Sequence, residues 1–310
     1  MTIEKIHFGG DSGGGFGIIW IAVGGPVCIL QIAHGMTEHI GRYEKLAEIL
    51  TAHGVIVAGF DLRGHGSNKN EIDRDCGTFG AGGWKASKHD FHLFYKMLNH
   101  RFNDMPHYVM GFSLGSFLVR DYLSDYHDKL DGAVIMGTGW QPGFLLSILK
   151  CVAKHEIKKY GGDRSITLVD KLTFENYNNK IKNHKTSSDW LCSDEIQLAG
   201  YINDPLCRHH ISAGLFYQLL DAMKRTGNIK SYKNWNKDMP VLLISGKEDP
   251  VGDLGKGVEK VKKDMKKAGI KNVKCCLIPD SRHDLLYEEK SGAADRCREI
   301  LVKWLCEKYK

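Results

Sequence analysis

The sequence predicts an α/β protein. It should hold a mostly parallel sheet of eight strands flanked by helices, with a helical cap inserted after the sixth strand. Three observations carry this. Short β-rich runs alternate along the chain with stretches of helical periodicity. The later runs are continuously apolar, as parallel strands covered on both faces must be. The interval 139–235 is too long for a loop and contains helix-like pieces.

The elements follow in order. Runs "IEKIHF" (3–8) and "GIIWIA" (17–22) flank the glycine-rich "GGDSGGGFG" (9–17), which suits the turn of an antiparallel hairpin. A dinucleotide loop is excluded there, because such a loop must open a helix and here a strand follows. A third strand, "VCILQIA" (27–33), precedes the helix "RYEKLAEILTAHG" (42–54), which stops on Gly54. Strand "VIVAGF" (55–60) and helix "WKASKHDFHLFYKMLNHRF" (84–102) come next. Strand "HYVMGF" (107–112) runs into helix "LGSFLVRDYLSDY" (114–126), and "GAVIMG" (132–137) is the sixth strand. The insertion has helical pieces at "FLLSILKCVAKHEIKKY" (144–160) and "AGLFYQLLDAMKRTG" (213–227). Strands "PVLLISG" (240–246) and "VKCCLIP" (273–279) complete the sheet. The last helix, 292–310, places Ala294, Cys297, Ile300, Leu301, Trp304 and Leu305 on one stripe. The core is therefore 1–138 with 236–310, and the cap 139–235.

Composition excludes several classes. With 42% hydrophobic and 26% charged residues, the chain is neither disordered nor membrane-spanning. Its net charge of +6 falls short of a nucleic-acid binder, though it is compatible with contact at an anionic lipid surface. Much of that excess lies in 255–274, on the solvated face of a helix. The nine cysteines include no Cys-x-x-Cys and no Cys/His set at zinc spacing, and the first ten residues have no apolar signal region. A reducing, cytoplasmic setting is expected, with no metal and no cofactor. "RHH" (208–210) reads as surface histidines.

The chemistry centres on "MGFSLGS" (110–116). A strand, Gly-x-Ser-x-Gly and a helix in succession form the context of a nucleophile elbow, a turn so sharp that small residues must flank it. Gly111 and Gly115 supply them, and Ser113 is the candidate nucleophile. A serine hydroxyl needs a base, and the base an orienting acid. Asp249 follows the seventh strand and His283 the eighth, the order that this architecture requires; Asp253 is a weaker candidate for the acid, and Glu248 weaker still. The oxyanion of the intermediate needs backbone donors. The Leu114 amide is one candidate. The Met36 amide is the other, in "QIAHGMTEH" (31–39), where Gly35 permits close approach and His34 reads as structural. Glu38 and Arg42 are spaced to pair at i,i+4. Asp61, Arg63 and His65 in "FDLRGHGSNKNE" (60–71) are expected to tie their loop together.

These residues resemble those of the α/β-hydrolase superfamily, and within it the monoacylglycerol lipase and lysophospholipase group, relatives of serine aminopeptidase-type hydrolases. The signals are "HGMTEHIGRY" (34–43), "DLRGHG" (61–66), "GFSLGS" (111–116), "GKEDPVG" (246–252) and "DSRHDLLYE" (280–288). In the cap, "LTFENYNNKI" (172–181) and "SSDWLCSDEIQLAGYINDPLC" (188–207) are similar to bacterial lysophospholipase-like members. Asn68 departs from the family's usual serine in the loop after "GHG". The resemblance implies hydrolysis of a carboxylic ester with one acyl chain, such as a monoacylglycerol or lysophospholipid. Trp140, Phe144, Leu145 and Ile148, which open the cap, are candidate acyl-chain contacts, and equally suit plain packing. Two alternatives stay open. One is an aminopeptidase or acyltransferase on the same triad, for which Asp189, Asp194, Glu195 and Asp204 would have to converge. The other is a non-catalytic binding protein. Oligomeric state is not legible.

Overall fold

Eight strands hydrogen-bond into one sheet: β1 (Thr2–Phe8), β2 (Gly15–Ile21), β3 (Cys28–Ala33), β4 (Val55–Phe60), β5 (His107–Phe112), β6 (Gly132–Met136), β7 (Val241–Gly246) and β8 (Val273–Ile278). Their spatial order is β1-β2-β4-β3-β5-β6-β7-β8. The structure is a computed structural model that describes residues 1–8, 15–68, 76–80, 82–103, 105–126, 130–207 and 210–306. The turn expected at 9–14, Arg208 and His209 of "RHH", and the tail 307–310 lie outside the described residues.

β1 pairs antiparallel with β2 and β2 antiparallel with β4, while every later pairing is parallel. Strands β3 to β7 are buried along their whole length, which explains their unbroken apolar sequence. Parallel pairing brings the C-terminal ends of β3, β5, β6, β7 and β8 to one edge, where functional loops of open α/β sheets gather.

Helices α1 (Glu44–Ala52), α2 (Gly83–Arg101), α3 (Leu114–Asp125), α4 (Gly143–Tyr160), α5 (Glu195–Asn203), α6 (Ala213–Thr226), α7 (Lys256–Lys267) and α8 (Ala293–Cys306) accompany the sheet. One core joins Leu46 and Leu50 of α1 to Leu301 and Leu305 of α8 on one face. The other joins Phe91 and Phe94 of α2, Leu118 of α3, Leu219 of α6 and Val258 of α7 on the opposite face. Gly54, at φ +83°, stops α1 in the left-handed conformation that its sequence position requires.

Between β6 and β7 the chain forms α4, α5, α6 and short turns. Buried Arg120 of α3 ties the two roots of this segment together. It donates to Thr138 Oγ1 at 3.0 Å and Gly139 O at 3.2 Å on one side, and to Thr226 O and Tyr232 Oη, both at 2.8 Å, on the other. A two-residue ladder, Cys76–Gly77 with His210–Ile211, adds a contact between cap and core that no periodicity could announce. Asn68 ties the "GHG" loop to β2. Its side-chain oxygen accepts from Phe16 N–H at 3.3 Å, and its side-chain nitrogen donates to Asp61 O at 2.5 Å. Among the described residues, no helix is long and apolar enough to cross a membrane.

Candidate active site

The site begins with a strained residue. Ser113 has φ +50° and ψ −116°, a conformation that L-residues rarely adopt. Its neighbours leave no room for side chains. A Cβ on Gly111 would meet Gly115 O at 2.2 Å, and one on Gly115 would meet Ala33 O at 2.0 Å. The turn presses β5 and α3 together and lifts Ser113 above the sheet edge, at the N-terminus of α3.

Ser113 Oγ lies 2.8 Å from His283 Nε2. On the other side of the ring, His283 Nδ1 lies 2.9 Å from Asp249 Oδ2. That contact is close, but its angle is not that of a well-aligned hydrogen bond; such geometry commonly tightens only when substrate binds. Asp249 is fully buried and held from two directions, by Ser245 Oγ at 3.0 Å and the Val251 amide at 2.8 Å. Glu248 is exposed, and Asp253 faces Lys180 at 3.6 Å, so neither competes for His283. The imidazole sits between Phe112 (centroids 4.9 Å) and Trp190 of the cap (5.1 Å).

The amides of Met36 and Leu114 are both bonded to nothing among the described residues. Met36 and Ser113 border the same small cavity. The Met36 loop is held by a buried carboxylate: Gly35 N–H donates to Glu38 Oε1 at 2.5 Å, and Tyr43 Oη donates to the same oxygen at 2.8 Å. Gly35 is needed because a Cβ there would come within 2.9 Å of both Glu38 and Phe112. His34 is structural. Its Nε2 accepts from Leu62 N–H at 2.8 Å, and its Nδ1 contacts Gly35 O at 2.7 Å. Burial pushes its pKa down to about 3, so it stays neutral.

Arg42 does more than the expected pairing. It meets Glu38 at 3.3 Å and Asp284, the residue after His283, at 2.6 Å, with the rings of Tyr201 and Tyr287 on its faces. Burial raises the Asp284 carboxyl to about 6, against the pull of Arg42. Asp61 receives the Ile40 and Ser67 amides, Arg63 pairs with Asp90, and His65 contacts Arg63 O, so that loop is held as expected.

The cap residues are placed differently from expectation. Phe144, Leu145 and Ile148 stand 72%, 37% and 57% exposed on the outer face of α4. Trp140 binds Gly227 O and faces Lys260. None of the four borders the cavity over Ser113; Phe174, Trp190, Leu191 and Tyr201 cover it instead. The physical reason is that α4 turns its inner residues Leu146 and Ala153 towards α6, leaving its most apolar stretch outside. The cavity holds about 20 Å³, close to the space of one water. Nor do the cap acids converge there. Asp189 binds Lys185 and Thr186 amides, Asp194 caps α5, Glu195 pairs with Lys185, and Asp204 meets His39. Trp190 and Tyr201 lie in the cap stretch 188–207 and Asp284 in 280–288, both of which carry the resemblance, but nothing in those stretches singles the three out as residues over the site.

The sequence pattern of the family described as "Serine aminopeptidase, S33" matches residues 25–290. Monoacylglycerol lipase of Mycolicibacterium smegmatis is 29% identical over 121 residues, which is 38% of this chain and 40% of that protein. Monoglyceride lipase of Mus musculus is 22% identical over 242 residues, 76% of this chain and 69% of that protein. The match to the first of these therefore spans less than half of its length. Among solved structures, a thermostable carboxyl esterase from Bacillus coagulans, in complex with glycerol, superposes with a TM-score of 0.89 at 24% identity over 98% of both chains. A soluble variant of monoglyceride lipase from Saccharomyces cerevisiae, in complex with a substrate analog, gives 0.74 at 18% identity over 98% of this chain and 96% of its own. These likenesses show the fold. With the family pattern running from just before β3 to beyond His283 on that fold, the chain belongs to the serine aminopeptidase, S33 family of α/β-hydrolases.

Proposed function

We propose that this chain is a serine ester hydrolase that cleaves carboxylic esters bearing one acyl chain, of the monoacylglycerol or lysophospholipid kind. The observation that carries the reading is the 2.8 Å contact between His283 Nε2 and the hydroxyl of a serine held at φ +50°. His283 takes the Ser113 proton as Oγ attacks the ester carbonyl, and Asp249 steadies the imidazolium. The Leu114 and Met36 amides receive the oxyanion. Collapse of the intermediate expels the alcohol, protonated by His283, and leaves an acyl-Ser113. Water then adds with the same base and releases the acid. No metal or cofactor enters these steps.

A monoacyl ester cannot enter about 20 Å³, so turnover requires the cap segment to withdraw Trp190 and Tyr201 from Ser113. The exposed Phe144–Leu145–Ile148 face, with Lys154, Lys158 and Lys159 further along α4, suits contact with an anionic lipid surface that supplies substrate. The relatives' names support a glyceride-type ester. The test is an ester panel varying acyl length and head group, run beside an aminoacyl arylamide with Ser113→Ala as the blank. Medium-chain monoacyl esters should be turned over fastest. Faster cleavage of the arylamide would replace this substrate class with a peptidase.

A further inference from the structure

Beyond the triad, the loop after β3 meets the cap at a second cluster that the chemistry above does not use. His39 Nε2 lies 2.8 Å from Asp204 Oδ2, and donor atoms of His39, Asp204 and Cys207 all lie within 4.8 Å of one another. His39 and Cys207 are buried, while the Asp204 side chain is 27% exposed and opens one side to solvent. Asp204 and Cys207 stand three residues apart in the turn that ends α5, closed by the Cys207 amide on Asp204 O at 3.1 Å. The Leu206 amide holds Asp204 Oδ1 at 2.8 Å, so Oδ2 is the oxygen aimed at His39. That amide acts as the outer partner that orients a ligating carboxylate.

Imidazole, thiolate and carboxylate with one open position form a ligand set that zinc takes, whereas magnesium and calcium take oxygen. We propose that His39, Asp204 and Cys207 bind a thiophilic divalent cation, best matched by Zn²⁺, which clamps the cap onto the loop that carries the Met36 amide. On binding, the Cys207 S–H bond breaks, its proton passes to solvent, and a sulfur–metal bond forms. The proton on His39 Nε2 that faces Asp204 leaves through solvent as the ring takes its Nδ1–H tautomer, and His39 Nε2 and Asp204 Oδ2 exchange their mutual contact for bonds to the ion. Tetrahedral bonds to zinc set ligand atoms about 3.3–3.7 Å apart, so the His39–Asp204 pair must part slightly and Cys207 close in. Arg42 lies 3.8 Å from Cys207 Sγ, but its charge is met by Glu38 and Asp284; the Asp204 carboxylate and the Cys207 thiolate balance the incoming ion.

The clamp would hold shut the segment that must move to admit an ester, and so inhibit turnover. That consequence rests on the proposed function; binding does not. The test is Co²⁺ titration of the full chain, following the thiolate-to-cobalt charge-transfer band, with Zn²⁺ as displacer. Cys207→Ser and Asp204→Asn are run in parallel, and circular dichroism without metal shows that each is folded. Wild type should take one ion per chain with the band. Cys207→Ser should lack the band, and Asp204→Asn should bind at least about tenfold more weakly. Zn²⁺, but not Mg²⁺, should raise the wild-type melting temperature and leave that of Cys207→Ser unchanged. Absence of the band in wild type, or an equal band in Cys207→Ser, overturns the site. Zn²⁺ inhibition equal in wild type and Cys207→Ser overturns the clamp. An intact band in a chain that hydrolyses no ester supports the site while removing the esterase reading.

Discussion

Arg42 Nη2 and Asp284 Oδ2 meet at 2.6 Å across 242 residues of sequence. Through this pair the loop that carries Met36 is joined to the residue beside His283. Glu38, on the other side of the same guanidinium, holds the Gly35 amide. Removing Arg42 leaves two buried carboxylates without their counter-charge, and breaking a buried pair on one side costs about 3–5 kcal/mol. Arg42→Ala is therefore expected to lose about that much in urea unfolding. Arg42→Lys should recover only part of it, because an ammonium cannot serve both acids with one planar fork. A loss below about 1 kcal/mol for Arg42→Ala would show that the network is not required.

Gly115 and Gly143 make a matched pair of glycine tests. A Cβ on Gly115 would sit 2.0 Å from the Ala33 carbonyl, whereas one on Gly143, the first residue of α4, meets nothing within 4 Å. Gly115→Ala should cost about 3 kcal/mol or more through overpacking against backbone. Gly143→Ala should be neutral, or stabilising by up to about 1 kcal/mol. Thermal melting of the two variants side by side checks this, and equal melting temperatures would contradict the elbow's steric account.

Acid should unfold this protein through buried histidines. Burial lowers the pKa of both His34 and His107 to about 3 from an ordinary 6.5. The folded state thus excludes protons that the unfolded chain binds below pH 6.5. Their stabilising contribution is whole above pH 6.5 and is lost as pH falls towards 3. The slope is at most about 1.4 kcal/mol per pH unit for each, or about 2.7 for the two. Asp284 acts in the opposite sense: its raised carboxyl costs stability in full above about pH 6, and that cost is relieved as pH falls from there to its ordinary range. Urea midpoints at stepped pH should fall on acidification, and His107→Gln should flatten the fall. An unchanged slope in that variant would place the acid sensitivity elsewhere.

The outer face of α4 is a further target. Phe144→Ser with Ile148→Ser should weaken sedimentation with anionic vesicles at least about tenfold, because each loses roughly 1.5–3 kcal/mol of apolar contact. Turnover of a soluble short-chain ester gives the internal reference, since neither side chain borders the cavity. Equal vesicle binding by wild type and variant would leave α4 no part in lipid contact.

Sequence order carried the sheet well, and it put Ser113, Asp249 and His283 just past the ends of strands, because both follow from local rules. Continuous apolar runs announce buried parallel strands. The elbow also needs its glycines at fixed spacing, so Gly111, Ser113 and Gly115 are readable together. What lay beyond sequence was contact across long separations. Arg120 looks like any helical arginine until the roots of the cap close around it. His39 and Cys207 are 168 positions apart by number, so no ligand spacing could announce a shared site. The side of α4 that faces inward also depends on α6, whose packing periodicity alone does not give; hence Phe144 and Ile148, which suit acyl-chain contact and plain packing equally in sequence, stand outside in the structure.

The most direct measurement is labelling of the intact chain with a fluorophosphonate, read by peptide mass spectrometry beside ester turnover. One adduct per chain should form, on Ser113. Ser113→Ala should take no label and lose roughly 10⁴–10⁶ in kcat. A folded wild type that takes no label, a label on another residue, or near-normal turnover by Ser113→Ala would contradict the account.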